Sequence, residues 1–194
     1  MIKNPIMRVL ALALCVLLST KFANAHALPG SELTLTEQPN NTLGLKLSFA
    51  LEDLIIAAPV LSSLDGAQID EPLQAKVLNK LNDYLHSHMA LISDTQALPI
   101  TLNHAEINLV HNSHVGFYRS VRIELSAPLN NRSELLPISL HYDVIMHEVR
   151  NHRAIVYWQK SDSALVKLTS FSYKKPQGEP VGYVLKLRSK ATSL

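Results

Sequence analysis

Residues 135–159 read LLPISLHYDVIMHEVRNHRAIVYWQ, and their pattern decides the fold class. From Ile138 the apolar side chains alternate. Ile138, Leu140, Tyr142, Val144 and Met146 fall on one side, and Ser139, His141, Asp143 and His147 on the other, with Ile145 the only apolar interruption. Successive side chains of a strand point to opposite faces, so a period of two describes a strand with one dry face and one wet face. Arg150, Asn151 and His152 include no apolar residue, and asparagine tolerates the left-handed backbone that a tight turn needs. Residues 154–158 then resume as a strand that is apolar on both faces and needs cover on both. The expectation is a strand, a turn and a second strand inside a packed domain.

The same reading extends in both directions. Residues 31–36 and 43–51 alternate around a turn at 38–41, with Leu43, Leu45, Leu47, Phe49 and Leu51 on one face, and read as a β-hairpin. Residues 52–59 change to a short helical turn ended by Pro59, and 62–68 read as a loop centred on Asp65 and Gly66. A helix is expected near 71–92. Asp70 and Glu71 suit its start and Pro72 its first turn, and Leu73, Val77, Leu81, Leu85 and Ile92 recur at helical spacing. Beyond it, Ile100 and Leu102 share one parity and Ile107 and Leu109 the other, which predicts a bulge near 103–105. Residues 118–125, 165–173 and 181–188 complete the set. About eight strands without a βαβ rhythm imply a largely antiparallel, β-sandwich-like fold with one inserted α-helix.

The first 25 residues read as an export signal. Lys3 and Arg8 precede an apolar run at 9–18, and Phe22-Ala23-Asn24-Ala25 ends in a small-x-small cleavage pattern before His26. The run is shorter than the roughly 20 residues of a membrane anchor. The expected organisation is a cleaved signal at 1–25, one exported β-rich domain at 26–190 and a frayed end at 191–194, placed in the periplasm or secreted. Of the 18 basic residues, Lys3, Arg8 and Lys21 lie in the signal and none of the 16 acidic ones does, so the remainder carries 15 basic and 16 acidic residues. That balance gives no reason to expect nucleic acid. The one cysteine, Cys15, also lies in the signal, which leaves the domain without disulfide, thiolate metal site or cysteine nucleophile. No other apolar stretch reaches membrane-spanning length.

Nine histidines remain. After cleavage, His26 would offer its free amine and its imidazole to one Cu(II). His141 and Asp143, two apart on a strand, stand about 6.6 Å from each other and within reach of one ion. His147, on the same face but about 20 Å further along an extended strand, is expected to stay apart. His86 and His88 diverge by about 200° on a helix. The metal-ligand candidates are therefore His26, His141 and Asp143, with copper or nickel as the ion and no other cofactor. For hydrolysis there is no G-x-S-x-G and no H-E-x-x-H. A hydrolase would need a pocket joining a Ser or Asp to a histidine such as His141 or His152.

The lead-in with Ala25-His26, residues 47–54 (LSFALEDL), Asp65-Gly66, the helix and residues 140–158 (LHYDVIMHEVRNHRAIVYW) together resemble the exported N-terminal domain of HupE/UreJ-like membrane proteins. Glu52-Asp53-Leu54, Tyr142-Asp143 and His152-Arg153 are the best anchors. In that family the loop after the D-L segment often carries calcium-loop aspartates. Here it reads Leu61-Ser62-Ser63-Leu64-Asp65-Gly66 and lacks the carboxylate ladder. The resemblance implies an extramembrane domain standing alone, nickel-related surroundings, and a membrane or cell-envelope protein as partner. The resulting expectation is a non-enzymatic exported accessory or interaction domain. The alternative is a periplasmic copper or nickel protein that uses His26.

Overall fold

A computed structural model of the chain describes residues 28–39, 41–93, 96–129, 138–160, 164–173 and 183–185. The expected signal segment, His26 and the end at 191–194 lie outside the described residues. In chain order the elements are β1 (Ser31–Gln38), β2 (Thr42–Ala50), α1 (Leu51–Ala57), a 3-10 helix (Pro59–Gly66), α2 (Ala75–His88), β3 (Met89–Ser93), β4 (Gln96–Leu98), β5 (Thr101–Asn112), β6 (Gly116–Pro128), β7 (Ile138–Tyr142), β8 (Arg153–Gln159), β9 (Val166–Ser172) and β10 (Tyr183–Leu185). A six-stranded sheet runs β5-β6-β2-β1-β8-β9, and a four-stranded sheet runs β10-β7-β3-β4. Neighbours pair antiparallel except β1 and β8, which run parallel with Ser31 opposite Ala154 and Leu35 opposite Trp158. The fold is mainly β and largely antiparallel, with its helices inserted after the second strand, as the hydrophobic alternation requires.

The β1–β2 hairpin sets Leu33 against Leu47 and Leu35 against Leu45, all four buried on one face. Its turn places Asn41 at φ +53°, where asparagine is at home. The larger sheet continues that dry face through Ile107, Val121, Ile123, Ala154, Val156 and Phe171, and the smaller one contributes Met89, Leu91, Leu98, Ile138, Leu140 and Tyr142. Tyr142 of β7 stacks on Phe171 of β9, with ring centroids 5.7 Å apart, so the sheets share one core. Between Leu102 and His104 the β5–β6 register shifts, at the predicted bulge.

Three expectations are corrected. Residues 138–159 do not form a hairpin: β7 belongs to the small sheet and β8 to the large one. The strand ends at Tyr142 because Val144, Ile145 and Met146 are all buried, and a strand cannot bury three consecutive side chains in one core. The chain instead coils, with the His147 amide donating to the Asp143 carbonyl at 3.1 Å and Ile145 held at φ +66°.

The expected helix at 71–92 is only Ala75–His88. Before it, the amides of Asp70 and Leu73 donate to the carbonyls of Ile107 and Ala105, which lays an extended segment along the open edge of β5. After it, Met89 turns extended and pairs with Tyr142. Finally, Pro59 starts a 3-10 helix over 59–66 where a loop was expected. Among the described residues no helix is long and apolar enough to cross a membrane.

Candidate functional site

Of the three proposed metal ligands, two fall within the described residues. His26 is outside the described residues. His141 sits in β7 opposite Ala90, and Asp143 follows the end of that strand. Among the described residues, the group of His, Cys, Asp or Glu side chains able to share an ion is His88, Asp143 and His147, with one ligand atom from each lying within 4.8 Å of the others. Sequence reasoning placed His147 too far away because it assumed an extended chain. The coil over 143–147 puts His147 one helical turn after Asp143, and residues four apart on a turn share a face.

Several contacts hold this cluster. The Asp143 amide donates to the His88 carbonyl at 3.0 Å, which continues the β3–β7 ladder by one bond and sets the two residues side by side. His88 Nδ1 donates to Asp143 Oδ1 at 2.9 Å. His147 Nδ1 faces the Asp143 carbonyl at 3.2 Å, and its ring stacks on that of His88 with centroids 3.9 Å apart. Tyr84, one turn before His88 on α2, lies under both rings at 4.7 and 5.9 Å. Its hydroxyl accepts the Ile145 amide at 2.9 Å and so fixes the left-handed residue in the middle of the coil. Burial pushes the Tyr84 phenol far above its ordinary pKa, so it stays neutral. The Asp143 carboxylate is half exposed, and solvent reaches the site from that side.

A second cluster joins a serine and an aspartate to His152, partners that the sequence did not identify. Ser31 Oγ donates to His152 Nε2 at 2.6 Å, and His152 Nδ1 donates to Asp53 Oδ2 at 2.9 Å. The Ser31 amide also points at Nε2, at 3.2 Å, so Nε2 is the acceptor and Nδ1 carries the proton. The connectivity is that of a Ser-His-Asp triad. Its three members come from the start of β1, from α1 and from the residue before β8. Parallel pairing of β1 with β8 brings Ser31 beside Ala154, and thus beside His152. Gly30 permits the approach: a Cβ there would stand 2.0 Å from the Arg153 carbonyl oxygen. No local spacing carries this arrangement, since His152 is 121 residues from Ser31 and 99 from Asp53.

The triad is closed to substrate. Ser31 is 0% exposed and His152 3%. A nucleophilic serine must present Oγ to a carbonyl carbon about 3 Å away along an open approach. Here Oγ is enclosed, and the buried Tyr142 hydroxyl beside it makes no well-formed hydrogen bond. Burial raises the Tyr142 pKa, so that group too stays neutral. The cluster works as a polar rivet joining β1, α1 and the start of β8. Compared with known protein families and with curated protein sequences, the chain matches none.

Proposed function

We propose that this protein is an exported, non-catalytic accessory domain that docks on a membrane protein of the cell envelope. The observation that carries the reading is the sealing of Ser31, His152 and Asp53. The one nucleophile–base–carboxylate chain found among the described residues has no approach for a substrate. The resemblance to HupE/UreJ-like extramembrane domains supplies the class of partner, and the leader-like residues 1–25 supply the export.

An apolar overhang supports docking. In the β5–β6 hairpin Ile107 pairs with Val121, both fully buried. The next pairs on that face are Leu109 with Arg119 and His111 with Phe117. There the core stops, yet Leu109 is 52% and Phe117 72% exposed. The dry face of the sheet thus runs beyond the layers that cover it. Arg119 anchors the overhang from below, donating to the Asp65 carboxylate at 2.6 Å and lying 3.7 Å from Glu52. The occupant that suits two exposed apolar side chains on a rigid hairpin is an apolar segment of the envelope protein.

A photo-reactive phenylalanine analogue at position 117, in the protein expressed with its own leader, tests this. The expected product is an adduct with a membrane protein, absent when the probe replaces Lys46 on the opposite, wet face of β2. Adducts formed only with a second copy of this chain would refute the assignment of the occupant. Labelling of Ser31 by a fluorophosphonate would refute the non-catalytic reading.

A further inference from the structure

We propose that His88, Asp143 and His147 form a binding site for one divalent late first-row transition metal ion, of the class of Zn(II), Ni(II) and Cu(II). The site is separate from the docking overhang and does not depend on that reading.

The donor set decides the class of ion. Two imidazoles and one carboxylate suit borderline ions, whereas Ca(II) and Mg(II) take oxygen ligands throughout. Three protein ligands on an open surface leave coordination positions for water. The backbone is already arranged. His88 is the last residue of α2, so the negative end of a 14-residue helix dipole faces the position where a cation would sit. Asp143 is fixed by the hydrogen bond that its amide donates to the His88 carbonyl, and His147 by the turn closed on the Asp143 carbonyl. Val144, Ile145 and Met146 anchor that turn in the core. Ile145 is β-branched and held at positive φ, a conformation that costs free energy unless its surroundings impose it. The Tyr84 hydroxyl imposes it through the Ile145 amide. The strain therefore maintains the one backbone path that returns His147 to Asp143.

Side-chain movement completes the site. With metal–ligand bonds of about 2.0–2.1 Å, tetrahedral ligand atoms stand about 3.4 Å apart. His88 Nδ1 and Asp143 Oδ1, at 2.9 Å, need to open by about half an ångström as the ion replaces the proton between them. The 4.8 Å limit on the whole set means that the third ligand closes by at most about 1.4 Å. His147 supplies that movement. Stacked rings point their nitrogen lone pairs along parallel planes, so its imidazole must rotate out of the stack. It is only partly buried and bonded weakly through Nδ1, which leaves the rotation open to it. When the ion takes Nδ1 of His88, the imidazole carries its N–H on Nε2 instead.

Isothermal titration of the purified chain with ZnCl2, NiCl2 and CuCl2, free of chelating buffer, tests the site. One ion per chain is expected. His147→Ala and Asp143→Asn should each weaken binding more than tenfold, while His141→Ala and His26→Ala should leave it unchanged. Co(II) should give visible d–d bands that His147→Ala alters. Urea midpoints measured without metal separate loss of a ligand from loss of fold, and His147→Ala should barely move them. Three results would each overturn the proposal: no binding at micromolar metal, binding indifferent to both His147→Ala and Asp143→Asn, or binding abolished by His26→Ala.

Discussion

Replacing His152 by alanine should destabilise the fold by about 4 kcal/mol, and the geometry of the rivet sets that figure. The imidazole links the fully buried Ser31 to the partly buried Asp53. Its removal leaves the Ser31 amide unpaired in a fully enclosed place and the Ser31 hydroxyl with only the poorly aligned Tyr142 hydroxyl, and orphaned buried groups cost roughly 1–3 kcal/mol each. It also leaves the Asp53 carboxylate, 13% exposed, without its donor. Losing a hydrogen bond to a charged acceptor costs about 1.5–3 kcal/mol, so the losses together come to about 4 kcal/mol. The smaller changes rank below it. Ser31→Ala removes one hydrogen bond while the Ser31 amide still satisfies Nε2, so it costs about 1 kcal/mol. Asp53→Asn keeps an acceptor for Nδ1–H and loses only the assistance of the charge, about 1.5 kcal/mol. Urea unfolding of the three variants is the assay. In a domain of this length a loss of 4 kcal/mol lowers the thermal midpoint by about 8–16 °C. Equal costs for Ser31→Ala and His152→Ala, or a His152→Ala cost below about 1 kcal/mol, would refute the claim that the cluster is a rivet.

Two further predictions follow from named contacts. Gly30→Ala drives a Cβ into the Arg153 carbonyl between two backbones that cannot easily part, so a loss of about 3 kcal/mol is expected by the same urea assay. Hydrogen bonds from Asn108, then from His104, hold the Glu106 carboxyl below its ordinary pKa. Stability from this group is therefore complete above the unfolded-state pKa of about 4.5 and is lost as the pH falls through the lower folded value, because the unfolded chain binds the proton first. Glu106→Gln should flatten the acid limb of a stability–pH curve by lowering stability at neutral pH, while leaving stability at the acid end nearly unchanged.

The elements were legible where a single period ruled. In β1, β2 and β6 every second residue is apolar, and each appears as a strand close to its expected bounds. The bulge near 103 was legible for the same reason, since a parity change has one economical explanation. Errors arose where two periods fit. Met89 and Ile92 sit at helical spacing while Met89 and Leu91 alternate as in a strand, and the ladder to β7 decided for the strand. Ile145 was the one visible flaw in an otherwise regular alternation, and that flaw marked the coil. The two histidine clusters were not legible, because each depends on tertiary pairing. His88 meets Asp143 only through the β3–β7 register, and His152 meets Ser31 only through a parallel pairing of distant strands. Asp53 and His152 both stood among the anchors of the family resemblance, yet no spacing along the chain connected them.

The parallel union of β1 and β8 has a consequence for how the chain matures. Synthesis delivers the amino end first, so the hairpin of β1 and β2 emerges while the strand that will flank it is still unmade. Its neighbour begins at Arg153, more than a hundred residues later. Until then the outer rim of β1 presents bare amides and carbonyls to any passing polypeptide. Closing so long an interval makes assembly slow, and favours a holdase that shields the waiting rim in the meantime. A nascent chain stalled before that point would be primed for aggregation.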